Sequence, residues 1–171
     1  FRSDGTRPSW RMADLDPERL FYVEPHGPAG PAYPFTWGFD SQIRHAFPPY
    51  QYDTIKYVLA HAGDVSVHAE LFSPFSQLLE LVEYTDALMA LIDDPAKVQA
   101  CLDRLADGAV ELGCGQAASG ADAILVSSAF AGAGFISPRH YREFVLPYEK
   151  KVVDAIRARY DIPVYTHTCG A

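Results

Sequence analysis

The stretch "ADAILVSS", Ala121 to Ser128, constrains the fold of this chain more than any other. Ala123 to Val126 are apolar at consecutive positions, so a strand here has neither face reserved for water. Strands of that kind occur in parallel sheets covered by helices. Helical patterns flank it on both sides. Before it, Asp94-Pro95 supplies an N-cap carboxylate and a proline at the first helical position; Val98, Leu102, Leu105, Ala109 and Leu112 then form one stripe, ended by Gly120. After it, Ser137-Pro138 repeats the device, with Tyr141, Phe144, Val145, Tyr148, Val152 and Ile156 on one face. Pro147 falls inside that pattern and predicts a kink. "VSVHAEL" upstream alternates, and "IPVYTHTC" closes the series. The reading is three neighbouring parallel strands near 65–71, 122–128 and 163–168, joined by right-handed crossovers and backed by helices over 95–119 and 137–160. An open doubly wound sheet and part of a (β/α)₈ barrel both satisfy it.

The rest of the chain is less regular. Residues 1–50 are rich in Pro, Gly and aromatics, which predicts irregular backbone with a short helix near "DPERL". "YDTIKYVLAHAGD" places Ile55, Val58, Leu59 and Ala62 at helical spacing before Gly63, and "SQLLELVEY" and "DALMALIDD" read as two short helices. The 171 residues are read as one truncated domain, irregular over 1–50 and built of βα units over 51–171. The opening on Phe1 and the end on a strand predict a piece of a longer protein. A net charge of −8 with scattered Lys and Arg argues against a nucleic-acid partner, and no stretch is apolar and long enough to predict a membrane span. Three cysteines without a scaffold pattern predict a reducing, cytoplasmic setting.

Several residues stand where chemistry is possible. In a strand, positions i and i+2 share a face, so Tyr165, His167 and Cys169 project together at a strand's carboxyl end, where α/β folds build their sites. Imidazole and thiolate are zinc ligands, so His167 and Cys169 read either as a metal half-site or as a buried polar pair. In "VSVHAEL", Val65, Val67, Ala69 and Leu71 share one face, and Ser66, His68 and Glu70 the other. Glu70, nearest the carboxyl end, is a candidate for proton transfer or substrate contact; a solvated edge strand gives the same pattern. Ser127 and Ser128 end the middle strand and, with Tyr165, are candidates for binding a small-molecule substrate; such serines can also simply open a loop. Cys101 and Cys114 lie in the long helical pattern and read as core. "AGAG" at 131–134 lacks the spacing and Lys of a phosphate loop, and His26, His45, His61 and His140 recruit no metal by spacing.

The stretch "GADAILVSSAFAGAGFISPRHYREFVLPYEKKVVDAIRARYDIPVYTHTCG" resembles the uroporphyrinogen decarboxylase family, in its "GAD" strand, its "SP…YREFVLPY.K" helix and its H-x-C-G strand end. "GDVSVHAELFSPF" and "LIDDPAKV" fall in matching places upstream. The resemblance implies a partial (β/α)₈ TIM barrel with parallel strands. One branch of the family decarboxylates a tetrapyrrole of porphyrin biosynthesis without a cofactor, using an amino-terminal "RQAGR" motif that this sequence does not contain. The other branch transfers methyl groups with corrinoid proteins and matches the H-x-C. It implies zinc on His167 and Cys169, a third Cys ligand after Ala171 and a corrinoid protein as partner; with only two protein ligands, the isolated chain is expected to be inactive and to hold zinc weakly or not at all. Where Ser127-Ser128 stands, relatives often carry an acidic residue, which leaves the substrate open. A non-catalytic half-barrel whose edges pair with another chain is the alternative of a different class.

Overall fold

The computed structural model describes residues 10–20, 47 and 49–169. Its regular part begins with α1 (Pro49–His61), β1 (His68–Phe72), α2 (Pro74–Leu81) and α3 (Tyr84–Asp93). The long α4 (Pro95–Ala118) leads into β2 (Ala123–Ser127). Then come α5 (Pro138–His140), a π-helical segment (Tyr141–Val145), α6 (Leu146–Arg157) and β3 (Val164–His167). Helix starts coincide with side chains that accept the free N–H groups of a first turn. Ser73 accepts from the Ser76 N–H at 3.2 Å for α2, Glu83 from the Asp86 N–H at 2.9 Å for α3, and Asp94 from the Lys97 N–H at 3.2 Å for α4. Pro74 and Pro95 occupy first-turn positions where no N–H is needed. After α4 the chain turns at Gly120, whose φ of +100° other residues rarely adopt.

The three strands are parallel in the order β1-β2-β3. In register, Glu70 lies beside Leu125 and Leu125 beside Tyr165; two residues on, Phe72, Ser127 and His167 align in the same way. The opposite face carries Ala69, Leu71, Ile124 and Val126, all buried together with the stripes of α4 (Val98, Leu102, Leu105, Ala109, Leu112) and α6 (Val152, Ile156). Close approach of these layers requires Gly113 on α4. A Cβ there would stand 2.5 Å from Ile156 Cδ1 and 2.9 Å from Leu71 Cδ2. A doubly wound sheet has helices on both faces. Here His68, Glu70, Tyr165 and His167 are exposed on the face turned away from α4 and α6. The arrangement is therefore part of a (β/α)₈ barrel, with that face as the lumen side.

Three details depart from the sequence reading. The first strand starts at His68 rather than Val65: Val65 turns back through its N–H to the Ala62 carbonyl, and the Val67 N–H goes to the Asp122 carboxylate at 2.7 Å. The helix over 137–160 is interrupted by a π-helical turn. Pro147 lacks an N–H, and the wider turn sends the Leu146 N–H five residues back to the Tyr141 carbonyl. "DPERL" forms a turn at 17–19, while a 3₁₀ turn lies earlier, at Met12–Asp14. That segment is fastened to α3, where Asp86 accepts the Met12 N–H at 2.6 Å and the Arg11 guanidinium at 3.0 Å. Residues 1–9, 21–46 and 48, including His26 and His45, lie outside the described residues. Among the described residues, no helix is long and apolar enough to cross a membrane.

Candidate functional site

β3 ends at His167, which the register sets on the lumen side, and Cys169 follows two residues on with its sulfur beside the His167 ring. Their backbone is held by the loop after β2. The Ser128 N–H donates to the His167 carbonyl at 2.8 Å, and the Cys169 N–H to the Ala129 carbonyl at 3.4 Å. His167 Nε2 and Cys169 Sγ are 3.5 Å apart, both exposed. A tetrahedral zinc ion with Zn–N near 2.0–2.1 Å and Zn–S near 2.3 Å needs its N and S ligand atoms about 3.6 Å apart. The separation of the pair is thus one that two corners of a zinc site would have, and also that of a thiol–imidazole hydrogen bond. Among the described residues, no group of three His, Cys, Asp or Glu is placed to enclose an ion. Cys101 and Cys114 cannot join: both are buried on α4, with the Cys101 thiol pushed up to about 11 by burial, and Cys114 sulfur accepts from Arg159 at 3.2 Å.

The other candidates divide. Ser127 is level with His167 on the lumen side, buried at the strand end. Glu70 is on the same face, one pleat further from the carboxyl end and two strands away, roughly 10 Å across the sheet. Tyr165 is also there, but its hydroxyl is engaged away from His167. It lies 2.9 Å from His68 Nδ1, while His68 Nε2 lies 2.9 Å from Ser66 Oγ. This Tyr165–His68–Ser66 chain escaped the sequence reading, although the shared parity of Ser66, His68 and Glu70 was visible.

Ser128 does not join the lumen group, contrary to the expectation that it lines the substrate side with Ser127. Adjacent residues of a strand point to opposite faces, and Ser128 turns inward, fully buried, under the ends of β1 and β2. Its hydroxyl donates to Ser73 Oγ at 3.0 Å, which donates to Ser76 Oγ at 3.2 Å. Beside it is Glu149 of α6, buried, with one carboxylate oxygen accepting from the Tyr141 hydroxyl at 3.0 Å. Burial pushes the Glu149 carboxyl up, opposed by its Ser128 and Tyr141 contacts; burial and then the Glu149 charge push the Tyr141 phenol up to about 12. Glu149 too escaped the sequence reading. Its signal was position, since Val145, Glu149, Val152 and Ile156 fall on one helical stripe and only Glu149 is charged.

Comparison with known proteins places these features in a family. The uroporphyrinogen decarboxylase family model matches residues 37–171. The chain is 35% identical to a uroporphyrinogen decarboxylase of Picosynechococcus over 79 residues, 46% of this chain and 22% of that protein. It is 31% identical to that of Mycobacterium bovis over 105 residues, 58% of this chain and 29% of that protein. The chain thus spans less than a third of the length of these relatives. Among solved structures, a methyltransferase from Methanosarcina mazei superposes with a TM-score of 0.65 at 20% identity, over 71% of this chain and 35% of that one. At that identity the superposition speaks for the fold. The family model, by contrast, accounts for well over half of the chain, βα units and H-x-C strand end included, and on that ground the chain belongs to the uroporphyrinogen decarboxylase family.

Proposed function

We infer that the chain is part of a zinc-dependent methyltransferase that moves a methyl group from a methylated corrinoid, carried by a corrinoid protein, or from a small methyl donor, to a thiol. The observation that carries this reading is the His167–Cys169 pair, whose 3.5 Å separation on the lumen side suits two zinc corners. A further Cys, which the family resemblance places after Ala171, would supply a third ligand. Zinc, when bound, lowers the pKa of a coordinated thiol and so makes a thiolate available near neutral pH. In the reaction a sulfur–carbon bond forms as the donor's bond to methyl breaks; the bonding pair leaves with the donor, and the thiol proton passes to solvent or a base. Glu70 and Ser127 share the lumen face with the pair and are proposed to contact the substrate, Glu70 being the group able to accept a proton. Tyr165 is proposed to shape the floor of that face, through its His68 contact.

The names of the curated relatives favour a second reading, decarboxylation of a tetrapyrrole without cofactor. One experiment separates the two. The full-length protein is given a methyl-corrinoid with a simple thiol, and separately uroporphyrinogen. The first reading expects a methyl thioether, lost in Cys169→Ser, and no carbon dioxide from uroporphyrinogen. Carbon dioxide release that survives Cys169→Ser would replace it with the second.

A further inference from the structure

Tyr165 and His68, both on the lumen face, are linked to each other and to Ser66. The His68 ring is fixed at both nitrogens: Nδ1 lies 2.9 Å from the Tyr165 hydroxyl and Nε2 lies 2.9 Å from Ser66 Oγ. A hydroxyl can donate or accept, so both contacts hold for either tautomer of the ring. The Tyr165 and His68 rings also meet edge to face, with centroids 5.8 Å apart.

This contact spans a strand. The register sets His68 level with Ala123 and Tyr165 level with Leu125, while β1 and β3 flank β2, roughly 10 Å apart. Two side chains that meet across that distance have to lie over β2 rather than stand up from the sheet. What they cross is small. Ala123 is the lumen-side residue of β2 at the level of His68. It is 3% exposed, whereas His68, Glu70 and Tyr165 around it are open, Tyr165 at 41%. A lumen-side alanine hidden among exposed neighbours has a cover, and the two rings are the groups that reach across it. Tyr165 precedes His167 by two residues, so the cover lies one strand step, about 6.5–7 Å, beneath the level of His167 and Ser127.

We propose that Tyr165 and His68 determine the specificity of this site: their bridge is a shelf over β2 that ends the lumen one step beneath the His167–Cys169 pair. Tyr165 is the surface a substrate meets, and His68 is the residue that positions it. The inference rests on the methyl-transfer reading of the pair. A methyl-corrinoid is too large to enter the lumen and arrives over its mouth. The body of the accepting thiol then points inward, and the shelf limits its length.

The test uses the full-length protein with a methyl-corrinoid and two thiols, ethanethiol and 4-phenylbutanethiol. Wild type, Tyr165→Phe, His68→Leu and Tyr165→Ala are compared. Wild type should prefer the short thiol in kcat/KM. Tyr165→Ala removes the shelf and should lower that preference about tenfold or more, through a lower KM for the long thiol, since pocket space for a methylene or more is worth that order of discrimination. Tyr165→Phe and His68→Leu keep side chains of similar size but break the bridge, and should lower the preference by less. Zinc content should stay at the wild-type level throughout, which separates loss of the shelf from loss of the ion. A wild type without preference, or one preference shared by all the variants, overturns the proposal. If Tyr165→Ala does not fold, Tyr165→Phe and His68→Leu decide by the same ratio.

A wild type that methylates neither thiol removes the methyl-transfer reading, and a second probe then decides the shelf by itself. p-Cresol has the shape of the tyrosine side chain. By calorimetry it should bind Tyr165→Ala, in the slot beside His68, and not wild type. Binding to neither protein, or to both alike, overturns the shelf.

Discussion

Replacing Gly113 by alanine should destabilise the chain, and trimming Ile156 to valine should rescue it. The new Cβ would meet Ile156 Cδ1 at 2.5 Å and Leu71 Cδ2 at 2.9 Å, and both side chains are buried with nowhere to retreat. Overpacking of this kind costs about 1–3 kcal/mol. Alanine in a helix interior recovers about 1 kcal/mol relative to glycine. Gly113→Ala alone should then lose up to about 2 kcal/mol. Ile156→Val deletes the atom at 2.5 Å and alone should cost about 0.5–1.5 kcal/mol. In the double variant the worst clash is gone and the helical gain remains, so the two changes should couple favourably by about 1–2 kcal/mol. Urea unfolding of the four chains measures it, through shifts in midpoint at constant slope. Additivity within about 0.5 kcal/mol would refute the reasoning, and with it the packing of Leu71 onto α4 and α6 that turns Glu70 to the lumen.

Other outcomes follow from the same geometry. Thiol alkylation of the native chain should modify exposed Cys169 first, leaving Cys101, pushed up to about 11 by burial, and Cys114 to react only on unfolding; peptide mapping checks the order. Asp86→Ala removes the acceptor for the Met12 N–H and should release residues 10–15 from α3, seen as faster amide exchange there and a loss of about 1.5–3 kcal/mol. Asp94→Ala removes the α4 cap and should cost about 1 kcal/mol by chemical denaturation, with Asp94→Ser restoring most of it.

Much of this architecture is written locally. Asp94-Pro95 and Ser137-Pro138 announce helix starts because a cap and a missing donor are properties of two adjacent residues. The parallel order of the three strands follows from alternation with helices, and the pairing of His167 with Cys169 from strand parity alone. What was hidden depends on parity or burial that the local pattern does not carry. "LVSS" is polar at both final positions, so nothing in it says that Ser127 faces the lumen and Ser128 the core; the register with His167 decides it. Glu149 looks like a surface residue by type, and only its place on the Val145–Val152–Ile156 stripe shows that it must be inside. The π-helical turn depends on how Pro147 is accommodated, and a kink would have satisfied the sequence equally well.

The claim on which the functional account turns is that His167 and Cys169 hold zinc. Elemental analysis of the full-length protein, after exhaustive dialysis, tests it. About one zinc per chain is expected in wild type, with near-complete loss in Cys169→Ser and an unchanged circular-dichroism spectrum, because the fold rests on the apolar layers around α4 and α6. Zinc retained at the wild-type level in Cys169→Ser, or a wild-type protein that takes up none from a zinc-supplemented buffer, would contradict the account.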